Sequence, residues 1–284
     1  MRFRLALLLA AALGAQQLCG AQDAAPPELT SELIPDLTAV LTDEAAAQLA
    51  PPPPEPALPE RGIYWEGWKQ LAPNILRDQK KVWLFPVSVA RGEHLKPTLA
   101  IVGVTAGLIA LDKHSAGYFN RTHSFDGFNR AFSGRNTALA TEIIPAALYV
   151  TGLFRKDIYA QETFFLAARA VISSEILTTV MKDIDRREIG PNGNYSDTWF
   201  DKTHGNWFRG VGSFPSGHTI AAFAVATVYA DRYPNPRWRR WLVFGLAGLV
   251  GFSRASLLTH YAADVFAGAA LGYAIAHYGV LGRR

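Results

Sequence analysis

Three short clusters hold the side chains best able to do chemistry. The first is Phe214-Pro215-Ser216-Gly217-His218, where a Pro-Ser-Gly turn opens an apolar stretch of helical character. The start of a helix presents unpaired backbone N–H groups with the positive end of its dipole behind them, which makes it an anion site. Ser216 adds a hydroxyl, Gly217 lets backbone approach an oxyanion closely, and His218 has a ring suited to proton transfer at neutral pH. The second cluster is Ser253-Arg254, followed by His260 and Asp264. On a helix, His260 and Asp264 at i and i+4 share a face, so the carboxylate could fix one ring nitrogen and leave the other to attack. Arg254 offers a bidentate fork for phosphate oxygens within an otherwise apolar run. The third cluster, Lys182-Asp183-Ile184-Asp185-Arg186-Arg187, ends an apolar segment and can bring two cations, Lys182 and Arg186, to one spot. Taken singly, each has a plain alternative: an ordinary capped helix start, a structural His–Asp pair, and a solvated charged helix end.

In this order the clusters read Lys…Arg…Pro-Ser-Gly-His…Ser-Arg-x5-His-x3-Asp. This resembles the signature of the type 2 phosphatidic acid phosphatase and vanadium haloperoxidase superfamily, with two motifs matching in full at 215–218 and 253–264. The resemblance covers the chain from about residue 137 onward. The first motif departs from the family's Lys-x6-Arg-Pro, because Ile189 and Gly190 stand where Arg-Pro is expected. On a continuing helix, i+4 lies about 40° from the lysine's face, whereas i+5 lies about 140° away. Arg186 is therefore the expected substitute, with Arg187 second.

The resemblance implies a metal-free mechanism. His260, oriented by Asp264, attacks phosphorus, while His218 protonates the leaving oxygen and then activates water. Lys182, Arg186, Ser216, Gly217 and Arg254 form the phosphate cradle. No metal or cofactor is expected, although vanadate could occupy the same cradle. The expected substrate is a phosphorylated small molecule or lipid, such as phosphatidic acid, phosphatidylglycerol phosphate, undecaprenyl diphosphate or a soluble ester. Alternatives are a vanadate-dependent haloperoxidase, a phosphotransferase, and a non-catalytic phosphate or lipid binder, the last motivated by the broken first motif.

These residues need a scaffold. Apolar segments at 97–111, 137–154, 163–181, 218–230, 241–258 and 262–281 are separated by polar connectors, and no stretch alternates with period two. The expected fold is all-α, a bundle of about six core helices within residues 63–284, with smaller helices near 64–90 and 125–132 and an extended N-terminal tail. The chain has 284 residues, 49% hydrophobic and 18% charged, which excludes wholesale disorder. Its basic residues are scattered, which argues against a nucleic-acid partner.

Residues 1–21 read as an export signal, with Arg2 and Arg4 before an apolar Leu5–Ala15 and a small-residue stretch ending at Ala21. A periplasmic or cell-envelope location follows as an expectation. Cleavage there would remove Cys19, the sole cysteine, and with it any disulfide. Residues 22–62, rich in Ala and Pro, read as a disordered tether. The run Pro97–Leu111 spans only about 22 Å as a helix, and Glu142, Arg169, Glu175 and Arg254 interrupt others. The sequence thus favours a periplasmic helical bundle, with or without membrane association, over one that crosses the bilayer, and an integral membrane protein is the alternative. Aromatic residues between 192 and 214, including Trp199 and Trp207, could dock a lipid tail. His94, His114, His123, His204 and His277 receive no role.

Overall fold

The computed structural model describes residues 67–122, 124–188, 199–200 and 212–282. The chain divides into two units, Met1–Ala57 and Leu58–Arg284, of which only the second contains described residues. The export signal, the tether, His123, His204 and Trp207 lie outside them.

The described residues are all-α, with no strand among them. Eight helices follow in order: α1 (Trp68–Ala90), α2 (Leu95–Arg121), α3 (Asp126–Ala131), α4 (Gly134–Arg155), α5 (Ile158–Asp185), α6 (Gly217–Arg232), α7 (Trp238–Ser256) and α8 (Ala262–Ala274). A π-helical turn, Ile275–Val280, prolongs α8. Helix α6 is the central post and packs against α5, α7 and α8. Its composition explains why: Ala221, Ala222, Ala224, Ala226 and Ala230 leave neighbouring backbones free to approach. The approach to α8 is closest at two glycines. A Cβ on Gly272 would stand 2.3 Å from the Ile220 carbonyl, and one on Gly268 would stand 2.9 Å from that of Ser216. The main apolar core gathers Leu166, Ala170, Ala224, Val228 and Ala276.

Three helices, α2, α4 and α5, are long and apolar enough to cross a membrane by length and composition. This differs from the sequence expectation for residues 97–111. Helix α2 continues through Asp112 and His114 to a length of 27 residues, about 40 Å at the standard rise. Only 11% and 17% of the most apolar windows of α2 and α4 are buried. Leu99, Val102, Leu111, Ile143, Ile144 and Phe154 instead point outward. Of the charges that interrupt the apolar runs, Arg169 is buried and forks onto Asp78 of α1, with Nε donating to Oδ2 at 2.9 Å and Nη2 to Oδ1 at 2.8 Å. Glu142 and Glu175 have exposed faces.

Candidate active site

One end of the bundle collects the chemistry: the end of α5, the start of α6, the end of α7 and the start of α8. The start of α4 meets them there, placing its Gly134 carbonyl 3.1 Å from the His218 ring. Ser216 is the N-cap of α6 and is fully buried. Its hydroxyl does not cap the helix but accepts a hydrogen bond from Thr219 Oγ1 at 2.9 Å. The Ser216 N–H donates to the Asp264 carbonyl at 3.1 Å, which ties the first motif-bearing turn to the second. Gly217 opens α6, so its N–H is among the unpaired donors of a helix start.

His218 lies one residue further on, and its Nε2 meets the Gly134 carbonyl. A carbonyl can only accept, so Nε2 carries a proton in this arrangement. Burial first, then the charges of Arg254 and His260, push the His218 ring down to about 4, while the Gly134 carbonyl pulls it upward. Arg254 is almost fully buried near the end of α7. Its Nη2 donates to the Phe132 carbonyl and to Ser253 Oγ, and Nη1 lies 3.0 Å from where a Cβ on Gly134 would stand. The short link from α3 to α4 therefore sits directly over both His218 and Arg254.

His260 does not share a helix face with Asp264, as the i, i+4 spacing suggested. It lies in the turn before α8, where its own N–H and that of Thr259 both donate to the Arg254 carbonyl. Its Nδ1 is 2.7 Å from the Ser213 carbonyl and 3.7 Å from Asp264 Oδ2. Ser213, not Asp264, thus takes the Nδ1–H hydrogen bond and leaves Nε2 with its lone pair. Asp264, fully buried, reaches back to the Tyr261 N–H at 2.8 Å and caps α8.

The broken motif resolves differently from the helical-wheel expectation. Helix α5 ends at Asp185, and Arg186 leaves it with left-handed backbone, φ 42° and ψ 40°. Arg186 Nε donates to the Asp183 carbonyl at 3.0 Å, satisfying the end of its own helix. Arg187 instead turns inward and is fully buried. Its Nη1 donates to Asp264 Oδ1 and its Nη2 to Asp112 Oδ2 at 2.7 Å. The Tyr261 and Trp199 rings flank its guanidinium at 4.2 and 4.7 Å. Lys182 sits on the last turn of α5, close enough for its charge to act on His218.

Sequence reading missed Asp112, the Ser213 carbonyl and the carbonyls of Phe132 and Gly134, and named Glu175 only as a charge that interrupts an apolar run. Glu175 Oε1 lies 3.9 Å from where a Cβ on Gly217 would stand. Main-chain carbonyls leave no signature in residue type. Asp112 did leave one, as an acid embedded in a long apolar helix.

The chain matches known proteins over this same region. The sequence profile of the PAP2 superfamily fits residues 163–283. A lipid A 1-phosphatase of Porphyromonas gingivalis is 39% identical over 68 residues, which is 24% of this chain and 15% of that protein. The crystal structure of a transmembrane PAP2-type phosphatidylglycerolphosphate phosphatase from Bacillus subtilis aligns over 72% of this chain and 94% of that one. That alignment has 18% identity and a TM-score of 0.39. The stretch that matches the PAP2 superfamily runs from the first turns of α5 past the end of α8 and includes Lys182, His218, His260, Arg254 and Asp264.

Proposed function

We propose that this protein is a membrane-embedded phosphatase that removes phosphate from a lipid phosphomonoester or diphosphate through a phosphohistidine on His260. The observation that carries the reading is the Ser213 carbonyl at 2.7 Å from His260 Nδ1, which fixes the tautomer that leaves Nε2 nucleophilic. The Nε2 lone pair forms the P–N bond as the bond from phosphorus to the leaving oxygen breaks. That oxygen takes a proton from His218, whose ring is charged by uptake of a proton when the phosphate dianion binds beside it and offsets the burial that otherwise keeps it neutral. Neutral His218 then takes a proton from water, whose oxygen attacks phosphorus and expels His260. Lys182, Arg254 and the Gly217 N–H balance the charge on the non-bridging oxygens, as the cation role does in phosphoryl transfer generally. Ser216 lines the same turn, and its buried hydroxyl, donated to by Thr219, retains its own hydrogen for an oxyanion.

A lipid substrate is supported by the outward apolar faces of α2 and α4 beside the site, and by the lipid phosphatase name of the partial relative. Trp238 and Trp241 are exposed at the opposite end of the bundle, where Trp suits a membrane interface.

The test is phosphate release in right-side-out and inverted vesicles, with EDTA, beside His260→Ala. Expected is EDTA-resistant turnover of externally added lipid phosphate in right-side-out vesicles, abolished by the substitution. Turnover that persists in His260→Ala would refute the phosphohistidine. Vanadate binding without turnover would leave a phosphate binder, and vanadate-dependent bromide oxidation a haloperoxidase.

A further inference from the structure

Asp112 is a carboxylate with no place in the motifs, yet it is fully buried on α2 at the catalytic end. Both of its oxygens are used. Oδ2 accepts from Arg187 Nη2 at 2.7 Å, and Oδ1 accepts from the Ala263 N–H at 3.1 Å in the first turn of α8. Burying a carboxylate is costly unless it is paired, and this one is paired twice, to a cation and to a helix start. From Arg187 two routes lead to His260. The guanidinium donates to Asp264 Oδ1, and Asp264 holds the Tyr261 N–H next to His260. The Arg187 carbonyl accepts from the Ser213 N–H at 2.9 Å, and the Ser213 carbonyl takes the His260 Nδ1–H.

We propose that Asp112 and Arg187 are positioning residues that hold the His260 ring in its attacking orientation, and that the Arg187 guanidinium is not part of the phosphate cradle. This rests on His260 being the nucleophile. The guanidinium faces two carboxylates and lies between two rings, so its fork is committed away from the substrate. Arg187, the second candidate for the missing motif arginine, is here a strut between α2 and the start of α8. The cradle keeps Lys182 and Arg254 as its cations.

A strut and a phosphate ligand differ in which kinetic constant they move. Asp112→Asn keeps the shape and removes the charge, while Arg187→Lys keeps the charge and removes the fork. Each is expected to lower kcat about 10- to 100-fold, as loss of a group that orients an active residue does. KM and the inhibition constant for vanadate should stay within about threefold, because positioning affects reaction more than binding. The double variant should be no worse than the weaker single, since both act along one path. Should Asp112→Asn fail to fold, Asp112→Asn with Arg187→Gln removes the buried pair while the introduced amide can still donate to Asp264, and the same low kcat is expected.

A rise in the vanadate constant of tenfold or more in Arg187→Lys, with kcat retained, would put the guanidinium in the cradle and overturn the proposal. So would full kcat in folded Asp112→Asn. These outcomes are separable from failure of the phosphatase reading, in which wild type would release no phosphate or His260→Ala would release it normally.

Discussion

Gly217→Ala separates the roles that a glycine at a helix start can have. A Cβ there would meet Thr178 Cγ2 at 3.5 Å and Glu175 Oε1 at 3.9 Å, both ordinary contacts. Packing therefore does not require glycine, and within a helix alanine is favoured over glycine by up to about 1 kcal/mol. The expected change in stability is between zero and that gain. Activity should move the other way. An oxyanion drawn against the Gly217 N–H must come within about 3 Å of the backbone, where a methyl group intrudes. Displacing it from one preorganised donor costs on the order of 10²-fold in kcat. The assay pairs thermal unfolding in detergent with phosphate release and vanadate inhibition. A variant at least as stable as wild type, with much weaker turnover and weaker vanadate inhibition, is the expected result. Undiminished turnover would show that the N–H does not hold the phosphoryl group. A loss of more than about 2 kcal/mol, typical of overpacking, would show that the glycine serves packing after all.

Gly272→Ala should behave in the opposite way. Its Cβ would stand 2.3 Å from the Ile220 carbonyl and 3.1 Å from the Ala224 nitrogen, both backbone, so α6 and α8 must separate. A loss of about 3 kcal/mol or more is expected, seen as a lowered Tm, and an unchanged Tm would mean that the helices pack more loosely than described. The His218 ring binds its proton less tightly when folded, about 4 against about 6.5 for the free side chain. The unfolded chain then carries more protons between those values, so stability rises with pH across that window and is lost as pH falls from 6.5 toward 4. His218→Asn should flatten that decline, measured as Tm against pH, and an identical slope in the variant would contradict the assignment.

Much of the site could be read from residue types because phosphate chemistry needs particular groups at particular spacings. Ser216, Gly217, His218, Arg254 and His260 converge at one end of the bundle as the motifs implied. What failed were extrapolations of regular geometry past the end of a helix. Arg186 was placed by continuing α5 one turn too far, whereas its backbone turns left-handed and sends Arg187 inward. The common helix assumed for His260 and Asp264 is absent, since α8 begins only at Ala262. The two side chains still lie 3.7 Å apart, with the Ser213 carbonyl taking the direct hydrogen bond. The length of α2 was underestimated because a charge was taken to end the apolar run at Leu111. Asp112 instead continues the helix and faces a buried guanidinium. That error also shaped the view of the membrane, since the fifteen-residue run appeared too short to cross one while the 27-residue helix does not.

The link over the catalytic end supplies oxygens where the proposed phosphoryl group would bind. The Phe132 carbonyl occupies a donor of Arg254, and the Gly134 carbonyl occupies the His218 Nε2–H. Without these oxygens, the imidazole N–H would lose its acceptor and the guanidinium would keep only Ser253 Oγ, at a cost of a few kcal/mol each. A phosphoryl group must therefore win these donors from main-chain acceptors rather than fill empty space, and only an oxygen of higher charge does so with a margin. The same rivalry works in reverse at the end of a turnover. On the proposed phosphohistidine route, the two carbonyls would compete for the donors once phosphate leaves His260, so the same corner would also limit how long phosphate stays.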